Sequence, residues 1–329
     1  MPLLTEMTKL ASSGPHAGSP DSVRYLRWNA LGTKCEVQYV CANPTAAQSF
    51  ERAATGWVAA FEAKYSRFRP ESLVSRINQA AGRDWVEIDA EMEGFLDLCG
   101  SLHFATKGLL DVTALPLMRL WDYKAVTPRI PAAHEIAAAR RLVGWQRVER
   151  VPGRVRLPEA GMAIDFGGWG KEYAVDVVAS IAHEHHITRA LVDFGHDLHA
   201  IGAAPGKPGW HIGLEDPTRP GVACWGSLAL NNRSVACSGD YLRGFTVNGV
   251  RYGHIVDPRT GFPVAHGSRQ VTVIAKNCLQ AGALSTTAFI MNPQEGIHFI
   301  QESIGAEACI LTANARHQTR GFINYVVTN

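Results

Sequence analysis

Two common signatures are missing from this chain of 329 residues. It has no excess of charge, because 32 Lys and Arg residues against 30 Asp and Glu residues leave a formal net charge of +2. So balanced a chain has no electrostatic footprint for nucleic acid or a membrane surface, and we expect neither partner. It also has no apolar run of membrane-spanning length, so we expect a soluble protein without membrane insertion.

The seven cysteines are scattered, and their arrangement excludes two further kinds of site. Their number is odd and none forms a Cys-x-x-Cys pair, so neither a disulfide framework nor a zinc site is indicated. The first 22 residues lack a basic region followed by an apolar run and have no cysteine for lipidation. We therefore expect residues 1–22 to be a disordered leader and the protein to be cytoplasmic.

The apolar patterns predict strands and helices in no regular alternation. Helices are predicted at 44–65, 90–106, 131–143, 170–186, 279–291 and 293–304. Strands are predicted at 25–40 (a pair broken at Gly32), 162–164, 190–193, 210–214, 227–229, 245–252 (folded back at Asn248-Gly249), 270–275, 309–312 and 323–327. Segregated hairpins and helices indicate the α+β class, with mixed sheets and flanking helices. We expect residues 23–329 to form a single domain.

Four segments rich in glycine, proline and polar residues are candidates for chemistry. In the most informative one, 252–263, His254 and Asp257 precede a turn that can continue neither a strand nor a helix. Side chains at such a turn are held firmly and face outward, as recognition requires. The other segments are 108–116, 165–176 and 281–286. Because the four are distant in sequence, any common site must be built by the fold.

Segment 165–176 has an acidic residue, a glycine-rich turn and the start of a helix. Such a turn brings a backbone close to phosphate oxygens at a helix N-terminus. Lys171 lies in the first helical turn, which is unfavourable for a cation unless an anion binds beside it. The structural alternatives are a solvated Lys171, Asp165 as the N-cap of the helix, and Asp111 as the cap of a following turn.

Two further features have structural interpretations that we favour. The imidazoles of His183, His185 and His186 lack a carboxylate partner at suitable spacing, so a solvated helix end is preferred to a metal site. Trp121 is expected to pack in the core near the site.

In their order along the chain, these segments resemble the FAD:protein FMN transferase family, also called the ApbE or thiamine-biosynthesis-lipoprotein family. The motifs that carry the resemblance are Leu31-Gly-Thr, Ser66-Arg-Phe-Arg-Pro-Glu-Ser, Leu110-Asp-Val-Thr-Ala-Leu-Pro, Asp165-Phe-Gly-Gly-Trp-Gly-Lys, Ser238-Gly-Asp-Tyr and His254-Ile-Val-Asp-Pro-Arg-Thr-Gly. The resemblance implies the ApbE-like fold and a Mg²⁺-dependent enzyme that cleaves the FAD pyrophosphate. It further implies that FMN passes to a Thr or Ser hydroxyl of a target flavoprotein and that AMP is released.

The same resemblance implies roles for individual residues. The FAD site would be lined by Leu31, Phe68, Leu109, Leu110, Asp111, Asp165, Lys171 and Ile255. The metal would face the carbonyl of Gly168 together with Ser285 and Thr286. His254 would lie near the reacting phosphate, and a histidine titrates close enough to neutral pH to act as base for the acceptor hydroxyl. Asp257 would orient His254 or bind ribose.

Three positions depart from the family pattern. Gly282 stands where the family has an acidic residue, which removes a carboxylate of the kind that Mg²⁺ sites usually need. Glu172 replaces the glycine that commonly follows the family's lysine, and we hypothesise that it supplies the missing carboxylate. Phe68 replaces a frequent tyrosine and keeps a ring that can stack on flavin or adenine.

These departures leave three functions open. An active FMN transferase is the interpretation that we favour. A non-catalytic FAD-binding relative with a weakened metal site is the first alternative, and an FAD pyrophosphatase, in which water replaces the protein hydroxyl, is the second. All three predict that the protein binds FAD.

Overall fold

Residues 21–327 are described by the computed structural model, and they contain eight α-helices. The helices are α1 Pro44–Tyr65, α2 Leu73–Gln79, α3 Ala90–Ala105, α4 Leu115–Leu120, α5 Ala133–Arg141, α6 Gly170–Glu184, α7 Cys278–Ile290 and α8 Pro293–Gln301. The expected leader falls almost entirely on residues 1–20, outside the described part. That expectation and the single domain stay predictions.

The same described residues contain fifteen strands. They are β1 Val23–Ala30, β2 Thr33–Val40, β3 Val86–Glu87, β4 Glu149–Val151, β5 Arg154–Arg156, β6 Ala190–Phe194, β7 Asp197–Ile201, β8 Trp210–Glu215, β9 Cys224–Leu230, β10 Arg233–Gly239, β11 Gly244–Val247, β12 Val250–Gly253, β13 Ser268–Ala275, β14 Glu307–Thr312 and β15 Arg316–Gln318. Eight of them form one antiparallel sheet in the order β1-β2-β6-β7-β10-β13-β14-β15. The α+β class is confirmed.

Both faces of the large sheet are covered. On one face α6 lies against β6 and β7, and α7 lies against β10 and β13. Successive side chains of a strand point to opposite faces, so Val271 and Val273 pack with α7 whereas Ile274 packs with the β8–β9 hairpin. The starts of α6 and α7 are thereby held side by side above the centre of the sheet.

Helix α1 forms as its sequence predicts. The side chain of Asn43 caps the helix by accepting a hydrogen bond from the Thr45 N–H at 2.9 Å, and Pro44 occupies the first turn. The apolar stripe, which includes Phe50 and Val58, is buried.

Two predicted strands are wrong, and two central strands were missed. Residues 162–164 form no ladder, because the side chain of Asn78 takes both backbone hydrogen bonds of Ile164, at 2.7 and 2.9 Å. The predicted strand at 323–327 is mostly a short 3₁₀ helix, Phe322–Tyr325. Strands β7 and β10 escaped prediction because small and polar residues interrupt their apolar pattern.

Candidate active site

His254 follows β12 directly and is fixed through its backbone. Its N–H donates to the Arg243 carbonyl at 3.1 Å, and its ring Nδ1 has no hydrogen-bond partner among the described residues. Burial, reinforced by the charges of Arg243 and Arg251, lowers the pKa of His254 to about 4. The imidazole is therefore neutral at physiological pH and able to accept a proton.

Asp257 closes the turn by binding Arg259 instead of His254. Its Oδ2 lies 2.8 Å from a guanidinium nitrogen of Arg259, and its Oδ1 accepts from the Arg259 backbone N–H at 2.8 Å. No hydrogen bond joins Asp257 to His254 within residues 21–327, so the expectation that Asp257 orients this imidazole is wrong. Ribose binding by Asp257 stays a prediction.

Trp121 packs in the core and hydrogen-bonds to the turn that follows His254, as expected of a buried residue near the site. Its indole N–H donates to the carbonyl of Gly261 at 2.8 Å, and its ring stacks on Tyr252 with centroids 5.4 Å apart. Gly261 has a φ of +78° and a β-carbon there would lie 2.7 Å from a side-chain carbon of Ile136. Only glycine fits this close approach.

Lys171 points into a buried ionic cluster. Its ammonium is closely paired with Asp197 and lies 3.7 Å from Glu172 Oε1. Asp197 is 5% exposed and also accepts from the Cys237 N–H at 3.1 Å. The solvated alternative for Lys171 is therefore wrong. Asp197 escaped sequence analysis because the strand that carries it, β7, was not predicted.

Asp165 lies before α6 but does not cap it, because the N-cap position is Trp169. Its Oδ2 is 3.2 Å from Nε of Arg67, a partner that sequence analysis also missed. Burial raises the pKa of Asp165, and the nearby guanidinium offsets part of this rise. The Arg67 guanidinium also lies 4.2 Å from the ring centroid of Phe68. Phe68 is nevertheless 75% exposed. Phe68 thus presents an open aromatic surface.

The capping role of Asp111 is confirmed. Its carboxylate accepts from the backbone N–H groups of Thr113 at 2.8 Å and Trp145 at 3.1 Å, and it lies 3.3 Å from His103 Nδ1. Burial alone would raise the pKa of Asp111, but the bonds from His103 and Thr113 outweigh it, so the pKa lies below its ordinary value. Leu109 and Leu110 beside it are buried.

Hydroxyl groups of α7 meet the end of β10. Ser238 Oγ lies 2.9 Å from Ser285 Oγ and 3.1 Å from Thr286 Oγ1. Ser285 also donates to the Gly282 carbonyl at 3.0 Å. The side chain of Glu172 lies directly over Gly282, so the starts of α6 and α7 are in contact here.

Packing places several of the remaining predicted residues against other parts of the candidate segments. A β-carbon on Gly168 would lie 3.4 Å from a methyl group of Leu110. Ile255 packs against the apolar cluster that includes α7, and Leu31 packs against the cluster that includes Leu110. Leu31 sits in the β1–β2 turn, where its N–H donates to Glu62 at 3.0 Å. The four sequence segments are thus linked through contacts.

Two negative findings apply to residues 21–327. No three His, Cys, Asp or Glu side chains in this part of the chain are grouped so that they could hold a metal ion. No helix in this part of the chain is long and apolar enough to cross a membrane.

Two buried histidines should make the folded protein less stable in acid. Burial lowers the pKa of both His254 and His199 to about 4 from an ordinary value of 6.5. Between these values the unfolded chain binds protons that the folded chain does not, so the free energy of unfolding decreases as the pH falls from 6.5 to 4. The expected decrease is about 1.4 kcal/mol per pH unit for each histidine.

A comparison of wild type with His254→Gln isolates one of these histidines. Burial raises the pKa of Asp176 to about 6, so this residue makes the free energy of unfolding increase as the pH falls. Its effect is the same in both proteins and cancels in the comparison. Urea unfolding at pH 7 and pH 5 should show a smaller acid loss in the variant. Equal losses in the two proteins would mean that His254 titrates normally.

Comparisons with known proteins agree with this architecture. The model of the ApbE family matches residues 31–310. A protein named FAD:protein FMN transferase from Klebsiella pneumoniae is 30% identical over 248 residues, which are 75% of this chain and 77% of that protein. One of the same name from Haemophilus influenzae is 30% identical over 252 residues, with 73% and 72% covered.

Solved structures extend the agreement to the fold. The ApbE protein of Thermotoga maritima is 31% identical with a TM-score of 0.84, covering 93% of this chain and 100% of that one. The apo flavinyl transferase ApbE of Pseudomonas stutzeri is 27% identical with a TM-score of 0.81, covering 94% and 98%. The resemblance seen in the sequence motifs is confirmed, and this chain belongs to the ApbE family.

Proposed function

We propose that this protein transfers FMN from FAD to a Thr or Ser hydroxyl of a target flavoprotein and releases AMP, with Mg²⁺ as its metal. The proposal rests on one observation above all: the side chain of Glu172, next to Lys171, lies directly over Gly282 on α7, one turn before the hydroxyl groups of Ser285 and Thr286. Membership of a family whose relatives are named FAD:protein FMN transferases supports the same reaction.

The binding roles follow from what each side chain offers. The ring of Phe68 is largely exposed even with the Arg67 guanidinium over it, so it would stack on an aromatic ring of FAD. Leu31, Leu109, Leu110 and Ile255 would form the apolar wall of the site. The ammonium of Lys171 would draw the pyrophosphate to the start of α6, where the helix end also favours an anion.

A groove with several positively charged side chains lies next to Asp111. A groove of about 870 Å³ is lined by that residue, by Lys107 and by three arginines, Arg140, Arg141 and Arg259. The four basic side chains favour an anionic part of the substrate or of the acceptor protein. The groove adjoins the 254–263 turn through Arg259.

The proposed reaction is one displacement at the phosphorus of the FMN half. The acceptor oxygen forms a bond to this phosphorus, the bond between phosphorus and the AMP oxygen breaks, and AMP leaves. His254 takes the proton of the acceptor hydroxyl, because its ring is neutral at physiological pH. Most of the catalysis of such a transfer comes from positioning and charge neutralisation.

The residues present fit a magnesium ion. Ser285, Thr286 and the carbonyl of Gly168 offer oxygen ligands, and the buried Glu172 has an oxygen without a hydrogen-bond partner in the described residues. Oxygen donors that include a carboxylate suit Mg²⁺. When bound, the ion would neutralise charge on the phosphate oxygens.

One incubation tests the proposed function. Purified protein is mixed with FAD, Mg²⁺ and a target flavoprotein domain, and covalent flavin is read by in-gel fluorescence while AMP and FMN are separated by chromatography. We expect labelled acceptor and an equal amount of AMP. Chelation with EDTA, or replacement of the acceptor Thr or Ser by Ala, should abolish the label.

The other products would overturn the proposal in distinct ways. Free FMN and AMP without label would mean that water is the acceptor, as in an FAD pyrophosphatase. Bound FAD with neither product would mean a non-catalytic FAD-binding relative.

A further inference from the structure

We propose that Glu172 on α6 supplies the carboxylate ligand of the metal, and that Gly282 on α7 is glycine in order to make room for it. The inference rests on the proposed function, because it concerns the same metal and the same phosphates.

Glu172 is a buried carboxylate whose charge is only partly compensated. The residue is 7% exposed, and its Oε2 has no hydrogen-bond partner among the described residues. Its Oε1 lies 3.7 Å from the Lys171 ammonium, but the close partner of that ammonium is Asp197. Burying a carboxylate without a close partner is unfavourable unless a cation pairs with it.

The charge balance of the cluster formed by Lys171, Glu172 and Asp197 also favours a bound cation. Glu172 and Asp197 are both buried acidic residues, whereas Lys171 is the one basic side chain ion-paired with either of them in residues 21–327. Two carboxylates against one ammonium leave a negative charge in the interior. A cation bound beside Glu172 would offset it.

The neighbouring donors are those of a hard cation. Ser285 lies one turn after Gly282 on α7, and its Oγ is 3.0 Å from the Gly282 carbonyl and 2.9 Å from Ser238 Oγ. Thr286 adds a third hydroxyl, 3.1 Å from that of Ser238. The carboxylate of Glu172 lies over Gly282, so it is beside the turn of α7 that carries these carbonyl and hydroxyl oxygens, and such oxygens are the ligands of a hard cation.

Gly282 and the Glu172 side chain compete for one space. A β-carbon on residue 282 would lie 2.5 Å from Glu172 Cγ, 3.0 Å from Cδ and 3.1 Å from Oε1. Because contacts this short are not tolerated, position 282 can bear a side chain only if that of residue 172 moves away. The fold therefore accommodates a carboxylate from α6 or from α7, but not from both.

The glycine has no other evident structural reason. It lies inside α7, where glycine is less favourable than alanine, and it is not among the glycines with positive φ. The space that it leaves is filled by Glu172. The unfavourable glycine inside α7 is therefore explained by the space that it provides for the Glu172 carboxylate.

The decisive measurement is Mn²⁺ affinity, with Mn²⁺ as a spectroscopic substitute for Mg²⁺. Free Mn²⁺ is followed by electron paramagnetic resonance as the metal is titrated into full-length protein saturated with FAD. Glu172→Gln keeps the size of the side chain and removes its charge. We expect this variant to bind Mn²⁺ at least about tenfold more weakly, since even outer-shell partners of metal sites are worth about 10–100-fold.

Matched variants separate the ligand role from folding. Glu184→Gln, at the exposed end of the same helix, removes the same charge and should leave the affinity unchanged. The exchange variant Glu172→Gly with Gly282→Asp should bind Mn²⁺ within about threefold of wild type, because it returns one carboxylate to the same space. Thermal melts of each variant verify that it is folded.

The outcomes distinguish this inference from the proposed function. A folded Glu172→Gln protein with wild-type Mn²⁺ affinity would overturn the ligand role, even if FMN transfer by the wild type is observed. If the exchange variant folds but binds Mn²⁺ as weakly as Glu172→Gln, the idea that carboxylates at positions 172 and 282 occupy the same space would be overturned. If wild type binds Mn²⁺ through Glu172 yet labels no acceptor, the proposed function fails while the metal assignment holds.

Discussion

Replacing His254 with glutamine is expected to slow FMN transfer by a factor of about 10²–10⁴, the usual contribution of a general base. The imidazole is neutral at physiological pH because burial lowers its pKa to about 4, so the wild-type enzyme keeps its base in the active form. Glutamine retains polarity and approximate size but cannot take up a proton. FAD affinity should change little, since the lost interaction acts on the acceptor hydroxyl.

The measurement is the rate of covalent flavin formation with saturating FAD and acceptor, alongside FAD affinity by flavin fluorescence. His199→Gln is the matched control, because His199 is also buried with a pKa of about 4 but is bonded to Ser234. This control should stay within about threefold of wild type, far from the factor expected for a general base. A His254→Gln enzyme that keeps more than about a tenth of the wild-type rate would rule out this histidine as the base.

Replacing Trp121 with alanine is expected to lower the free energy of unfolding by about 3–5 kcal/mol, the usual cost of removing a large buried aromatic side chain. Trp121 is 2% exposed, stacks on Tyr252 and donates its indole N–H to the carbonyl of Gly261. The substitution therefore leaves both a cavity and an unpaired carbonyl. FMN transfer should also fall, because the turn that follows His254 loses its anchor.

Urea unfolding at pH 7 measures the change. Trp85→Ala is the control, since Trp85 is 37% exposed and its loss leaves no enclosed cavity. Its cost should be about 1 kcal/mol or less, as for most surface substitutions. Comparable costs for the two alanine variants would show that Trp121 does not hold the turn.

Local features were predictable because they depend on neighbours in the chain. The buried stripe of α1 and its cap at Asn43 follow from residues a few positions apart. The hairpin at Asn248-Gly249 follows from two residues that accept positive φ, here 50° and 77°. The order of the glycine-rich and polar motifs sufficed for the family. Strands β7 and β10 could not be predicted, because tertiary burial outweighs their weak local preference.

The partners of the charged side chains were decided by the tertiary structure. By itself the sequence placed Lys171 and Glu172 at the start of a helix, and it showed that residue 282 lacks a carboxylate. Only the packing of α6 on α7 laid Glu172 over Gly282, and only the antiparallel sheet brought Asp197 to Lys171. The physical reason is that the free energy of a buried charge depends on which distant groups share its enclosure, and chain order does not specify those groups.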